Sequence, residues 1–353
     1  MRIAIITTSR ADWNGLGMVA KALHAQGAEL RICAIYDHAG MDVVEREAAG
    51  VGLMVKIGGD LNITRAADFM DTLVRWNFGE GWRPDIVAVC GDRHETLLAA
   101  FASVFAGVPV AHIAGGDVTL GSSDDKYRWA ISMLAHLHFP TNETARTRLL
   151  AAGCAPNVYL YGSPAIDRLM RTPIMPRAEL CKALGLEDAR PYILANWQPE
   201  TPRDHGLPEM LQALAFNSMP GVIVGVNPDP GADSAEQRIM EFTAGKPKWR
   251  RHGNLAPELY LSALFHAHCL IGNSSSGFYE APYYGTPVIN IGERQRGRPQ
   301  PKCMAWVPVV STAEIAAALQ DLDIPRRYDI QQLYGDGTAA PKIANAILKW
   351  PVS

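Results

Sequence analysis

Short apolar runs bounded by Gly, Pro, Ser, Asn and Asp alternate along this chain with longer segments whose apolar residues recur at helical spacing. In the first half the runs fall at Ile3–Ile6, Leu30–Tyr36, Gly52–Ile57, Asp85–Cys90, Val108–Ile113 and His138–Pro140, and each predicts a buried strand. Helices are predicted between them near Leu16–Gln26, Met41–Gly50, Ile63–Phe78, His94–Ala106, Asp124–Ala135 and Glu143–Ala152, with Thr7 to Asp12 as a loop. A second set follows Val158–Tyr161 and a Pro-punctuated stretch, Ser163–Pro176, that reads as a linker. Its strands are predicted at Tyr192–Ala195, Val222–Val226, His268–Ile271 and Val288–Ile291. Its helices are predicted near Leu207–Phe216, Asp233–Thr243, Pro257–Ala267, Thr312–Leu319 and Ala339–Trp350. Strands alternating with helices of this length predict α/β architecture, with parallel sheets covered on both faces. Two doubly wound halves facing each other is the economical arrangement, and ligands then sit outside the carboxyl ends of the strands.

The stretch GNSSSGFYEAPYYGTPVINIGERQRGR, from Gly272 to Arg298, follows one such strand. A strand that turns through Gly, Asn and Ser into a helix, here predicted over Gly277–Tyr284, presents unpaired N–H groups to an anion. Phosphates of a nucleotide would sit on Asn273, Ser274, Ser275 and Ser276, with Glu280 one turn on to take ribose hydroxyls. Arg294, Arg296 and Arg298 add guanidinium groups. Taken singly, GNSSSG also suits an ordinary helix cap and the arginines a solvated loop.

Strand ends in the first half gather acids: Asp92 in Gly91-Asp92-Arg93-His94-Glu95, Asp117 after Gly115-Gly116, then Asp124 and Asp125 opening a helix that carries Arg128. Asp124 and Arg128 are four apart, so they share a face and can pair. Crowded carboxyl groups suit proton transfer, one held protonated and another ionised. Each acid could alternatively cap or complement a helix N-terminus. The histidines lack metal-ligand spacing with these acids, and His136 and His138 read as core or supporting residues. The serines lack a G-x-S-x-G elbow, so acyl transfer is disfavoured.

At 353 residues, with 48% hydrophobic and 20% charged residues, the chain has room for two globular domains. A net charge of −3 gives no general field for nucleic acid or an anionic membrane, so phosphate binding must be local. Six cysteines without a C-x-x-C pair fit reduced core thiols in a cytoplasm. No run suits a signal peptide or a membrane span.

Together the motifs resemble the UDP-N-acetylglucosamine 2-epimerase family, its hydrolysing branch in particular. The resemblance runs in order through TSRAD (Thr8–Asp12), GDRHE (Gly91–Glu95), HIAGGDVT (His112–Thr119), SDDKYRWAI (Ser123–Ile131) and AHLHFPT (Ala135–Thr141). It continues through N-x-D-x-G (Asn227–Gly231), GNSSSG, GTPVINIGERQRGR (from Gly285) and YGDGTAAPKI (Tyr334–Ile343). It implies a GT-B-like fold of two Rossmann-type domains across a cleft, here residues 1–170 and 171–338, with a helix in 339–353 packing back on the first. It implies a UDP site on Ser274, Ser275, Glu280 and Arg294, with Arg10 and Asp12 from the first domain and Gln198 and Asn227 from the second. Asp92, Asp117 and Asp124 would be the acid/base group, oriented by Asp125 and Arg128. The family reaction eliminates UDP across C1 and C2 of the sugar and hydrates the glycal with inversion at C2, freeing a mannosamine-type sugar. It implies no cofactor or metal, and a cytoplasmic homodimer or homotetramer acting in nonulosonic (sialic-type) acid synthesis.

Three positions depart from the family pattern: Asp117 stands for the more usual Glu, Trp129 for His in R-H-A-I, and Gln198 for His in H-P. They leave open a different nucleotide sugar, or a catalytically weak nucleotide-sugar binding protein. A GT-B glycosyltransferase would share the diphosphate site but not need four acids.

Overall fold

A computed structural model of the protein describes residues 1–35, 41–57, 81–118, 124–187, 190–199, 206–226, 231–253, 255–322 and 330–351. The chain divides into two compact units. The first draws on Met1–Val118, Ser123–Arg171 and Tyr334–Ser353, and the second is built on Thr172–Leu333.

The first unit holds strands β1 (Arg2–Thr7), β2 (Glu29–Ile35), β3 (Leu53–Ile57), β4 (Ile86–Cys90), β5 (Val110–Ile113) and β6 (Leu137–Phe139). They form one sheet in the order β3-β2-β1-β4-β5-β6, every pairing parallel. Ile3 and Ile5 join one core cluster, Ala4 and Ile6 the other. Both faces of β1 are thus dry, which is why it reads as an unbroken apolar run and not an alternating one. Each such buried aliphatic side chain contributes about 2 kcal/mol. Its described helices up to Arg171 are α1 (Arg10–Ala25), α2 (Met41–Ala48), α3 (His94–Phe105), α4 (Asp124–Leu134), α5 (Glu143–Ala151) and α6 (Pro164–Arg171).

The second unit repeats the design with β7 (Ile193–Asn196), β8 (Gly221–Val224), β9 (Trp249–His252), β10 (Cys269–Gly272), β11 (Val288–Ile291) and β12 (Met304–Val307). Their order is β12-β11-β10-β7-β8-β9, again all parallel. Its helices are α7 (Arg177–Leu184), α8 (Leu207–Phe216), α9 (Ala232–Ala244), α10 (Pro257–His266), α11 (Ser276–Tyr279), α12 (Ala281–Tyr284) and α13 (Thr312–Gln320). In each unit the strand order reverses once, between β1 and β4 and between β7 and β10. Loops leaving those neighbouring strands diverge there and open a crevice. At the second reversal a Cβ on Gly272 (φ 140°) would stand 1.9 Å from the Asn196 carbonyl oxygen, so only glycine lets the two backbones approach.

Helix α14 (Ala339–Leu348) belongs to the first unit and packs on α1, burying Ala339, Ala340, Ile343, Ala344 and Ile347. Its first two N–H groups donate to Asp167 on α6, Ala339 N to Oδ1 at 2.9 Å and Ala340 N to Oδ2 at 2.8 Å. A fully buried carboxylate 172 residues distant in sequence from Ala339 therefore does the work of a helix cap.

Several expectations are corrected. Helix α1 starts at Arg10, because Ser9 caps it and Asp12 completes a capping box. The stretch read as a linker contains a helix, α6, which opens on Pro164, a residue well suited to a first turn. The helix expected over Gly277–Tyr284 is two single turns, α11 and α12: Pro282 has no N–H to donate and crowds the preceding turn. The helix expected at Ile63–Phe78 lies outside the described residues. Among the described residues no helix is long and apolar enough to cross a membrane.

Candidate active site

In the first unit the loops beyond β1, β4 and β5 carry the acids. Asp12 accepts from Thr7 Oγ1, Thr8 N and Oγ1, and Ser9 N and Oγ, all between 2.8 and 3.0 Å. Burial pushes this carboxyl up, against the pull of those bonds. Asp12, expected to bind substrate, thus holds its own loop in shape. Burial, and then the charges of Asp12, Asp92 and Asp117, raise the Cys90 thiol far above its ordinary range, with Arg128 opposing. The three loops therefore converge around the end of β4.

Arg128 is the centre of this cluster. Its side chain, 5% exposed, donates from Nη1 to the Asp117 carbonyl at 2.7 Å and to Asp125 Oδ1 at 2.8 Å, and from Nη2 to Asp92 Oδ2. On its own helix Arg128 reaches Asp125, three residues back, at 2.8 Å. Asp124, in the first turn of α4, is partly exposed. Asp117 is buried under Thr141, whose hydroxyl lies 2.9 and 3.0 Å from its two oxygens, and under Asn142 Nδ2 at 2.9 Å. Asn142 also caps α5 through Ala145 N. Sequence reasoning assigned neither residue a role, although Thr141 closes a motif that carried the resemblance. Just before Asp117, Ala114 takes φ 61°, a left-handed conformation costly for a residue with a Cβ. His112 lies beneath, with Nε2 at 2.8 Å from the Gly91 carbonyl and Nδ1 at 3.1 Å from Ser132 Oγ. A carbonyl can only accept, so Nε2 carries a hydrogen. Burial lowers its pKa to about 3.

In the second unit the loops beyond β7 and β10 are tied together. Asn273 Oδ1 accepts from Gln198 N at 2.6 Å, and its Nδ2 donates to the Gln198 carbonyl at 2.7 Å. The Gln198 amide donates to Asn196 Oδ1 at 2.8 Å. Asn273 and Gln198, both expected at the nucleotide, build the floor of the loop. Gln295 Nε2 and Arg294 Nη1 reach the Asn273 carbonyl at 2.9 and 3.3 Å, bringing the arginine-rich loop against GNSSSG. Ser274 and Ser276 share hydrogen bonds with the Tyr260 hydroxyl, whose pKa burial lifts to about 12. Tyr260 escaped sequence reasoning because it sits inside a helix with no motif. Ser275 lies between them at the N-cap of α11.

Glu280 and Arg298 stand apart. Glu280 Oε2 is buried with no hydrogen-bond partner, as are Arg298 Nε and Nη1, and the Arg298 guanidinium lies 5.0 Å from the Tyr279 ring centroid. Burial raises the Glu280 carboxyl, with Ser276 and Arg298 opposing. An unpaired acceptor and two unpaired donors enclosed together are what a ligand with hydroxyl and phosphate groups would complete. The Arg10 side chain and Asn227 lie outside the described residues. Among those described, no group of three His, Cys, Asp or Glu side chains is suited to hold a metal ion.

Residues 26–348 match the family profile described as UDP-N-acetylglucosamine 2-epimerase. The chain belongs to the UDP-N-acetylglucosamine 2-epimerase family. Within that family it is 26% identical to a hydrolysing UDP-N,N'-diacetylbacillosamine 2-epimerase of Legionella pneumophila, over 97% of this chain and 94% of the relative. It is 31% identical to a hydrolysing GDP/UDP-N,N'-diacetylbacillosamine 2-epimerase of Campylobacter jejuni, over 62% of this chain and 59% of the relative. The fold matches a UDP-GlcNAc 2-epimerase from Neisseria meningitidis bound to UDP-GlcNAc, with a TM-score of 0.84 at 18% identity over 99% of this chain and 100% of that one. It is an enzyme of the hydrolysing 2-epimerase type, and its two six-stranded parallel sheets are GT-B-like.

Proposed function

We propose that the protein eliminates UDP from UDP-N-acetylglucosamine or a related UDP-2-acetamido sugar and hydrates the resulting glycal with inversion at C2, releasing a mannosamine-type sugar. The observation that carries this reading is Arg128 gathering Asp92, Asp125 and the Asp117 carbonyl at the end of β4. The unpaired Glu280 and Arg298 atoms at the second strand reversal support a nucleotide there.

The C2 proton of such a sugar is not acidic in the ground state. The C1–O bond to the diphosphate must be well broken before a carboxylate takes that proton. The electron pair leaves with UDP, and Arg294, Arg298 and the serine loop stabilise the charge that develops on it. A carboxyl group among Asp92, Asp117 and Asp124 accepts the C2 proton, and the same group of acids then returns a proton to C2 while water adds at C1. Asp125 and Arg128 orient them. The names of the relatives favour either one acetamido group on the sugar or a second at C4.

The test is incubation with candidate UDP-sugars in D2O. The expected result is UDP release with deuterium at C2 of the freed sugar. Release without deuterium would sink the elimination, dependence on an added sugar acceptor would indicate glycosyl transfer, and binding without release would leave a nucleotide-sugar binding protein. Asp92→Asn should abolish turnover and leave UDP affinity nearly intact.

A further inference from the structure

Trp129, the residue after Arg128 on α4, and Arg148 on α5 form a pair that the reaction scheme above does not use. The Arg148 guanidinium carbon lies 5.0 Å from the Trp129 ring centroid, and its Nη2 is 4.0 Å from Asp125 Oδ2. Its Nη1 is buried and has no hydrogen-bond partner. A tryptophan face is the strongest aromatic platform for a cation and confines the guanidinium. The pair therefore holds an unpaired, charged donor in place beside the acid cluster. Leaving such a donor buried without an acceptor is costly, so an acceptor arrives with a ligand.

The surroundings select that acceptor. Asp92, Asp117, Asp124 and Asp125 bring four carboxyl groups to this end of the first unit, against the two guanidinium groups of Arg128 and Arg148. A phosphate would meet repulsion there. A neutral amide carbonyl would not, and it is the strongest uncharged acceptor on an acetamido sugar. We infer that Arg148, carried on Trp129, forms a subsite for an acetamido carbonyl oxygen of the sugar. This rests on the proposed reading of the chain as a UDP-acetamido-sugar enzyme. It assigns Arg148 to recognition of the sugar and not to the proton transfers.

The test is direct titration of the full chain, in an Asp92→Asn background that stops turnover, with UDP, UDP-glucosamine and UDP-N-acetylglucosamine. Loss of one charged hydrogen bond predicts that Arg148→Met weakens UDP-N-acetylglucosamine by about tenfold or more, with UDP and UDP-glucosamine changed by less than about twofold. Trp129→Phe keeps the preference for the acetylated sugar, and Trp129→Ala loses part of it. Equal weakening of all three ligands by Arg148→Met would mean that Arg148 only braces Asp125, and an unchanged affinity for the acetylated sugar would mean that Nη1 is satisfied by water; either overturns the subsite. Arg148→Lys, which keeps the charge on a simpler stem, guards against misfolding as the cause. If UDP binds and the acetyl group makes no difference in the parent chain, the subsite alone fails. If no ligand binds, the nucleotide reading itself fails and the subsite falls with it.

Discussion

The side-chain amide of Asn273 satisfies both backbone polar groups of Gln198, accepting from its N–H at 2.6 Å and donating to its C=O at 2.7 Å. Asn273 is fully buried, so the pair clamps the ends of β7 and β10 in a dry environment. Asn273→Ala would strand the N–H and the carbonyl of Gln198 and cost roughly 2–4 kcal/mol, read by denaturant unfolding. Asn273→Asp keeps the acceptor but loses the donor and adds negative charge beneath the serine loop. It should weaken UDP binding more than it lowers stability, and equal losses of both would refute a role for this loop in nucleotide binding.

Arg128 serves three acceptors at once through a planar fork. Arg128→Lys retains the charge but cannot span them, and Arg128→Met leaves the partly buried Asp92 and Asp125 carboxylates and the buried Asp117 carbonyl uncompensated. Both should reduce UDP release by roughly 100-fold or more. Only Arg128→Met should also lower stability by about 3 kcal/mol, seen in thermal or denaturant unfolding.

Two buried histidines set the acid limit of the first unit. Burial lowers His112 to about 3 and His138 to about 4, the latter helped by His136. Both folded values lie below the ordinary histidine value of about 6.5. The folded state therefore resists protonation, and the unfolded chain binds more protons as pH falls. The stability these rings contribute is complete above about pH 6.5 and is lost as pH drops toward 4 and then 3, several kcal/mol in all. Denaturant midpoints measured from pH 7 to 4 should fall steadily, and a flat profile would contradict neutral, buried rings.

Asp167 accepts the first two N–H groups of α14. Asp167→Ala should cost about 1–2 kcal/mol, and Asp167→Asn, which keeps one acceptor oxygen, about half as much. Protection of the α14 amides in hydrogen exchange reports the same loss locally, and an unchanged exchange pattern would mean that the cap is idle.

The sheets were legible because most of their strands are buried on both faces and read as unbroken apolar runs. Where that condition fails, so does the reading: β9 is Trp249-Arg250-Arg251-His252, with only its tryptophan buried, and nothing apolar announces it. The prolines mislead in two directions: Pro164 starts a helix inside a stretch that reads as a linker, and Pro282 divides a segment that reads as one helix. Within the candidate site, residue type and strand-end position single out Asp92, Asp117, Asp125 and Arg128, and the structure brings these together. They did not separate groups that face a ligand from groups that brace a loop. Asp12 and Asn273 look like ligands in sequence, and their donors and acceptors in the structure show that they also brace their loops. Tyr260 and Asn142 do bracing work from outside any motif, and Thr141 does it from the end of AHLHFPT.

The return of α14 to the first unit has a consequence for the order of folding. On the ribosome, Met1 to Arg171 emerges long before Ala339, and during that interval the α1 surface that Ile343, Ala344 and Ile347 will cover stays open to water. The second unit, whose main segment Thr172–Leu333 precedes Ala339, can close first. A nascent first unit must therefore wait, apolar face exposed, until α14 follows the second unit out, and that helix acts as the latch on a unit whose other segments were made well before it.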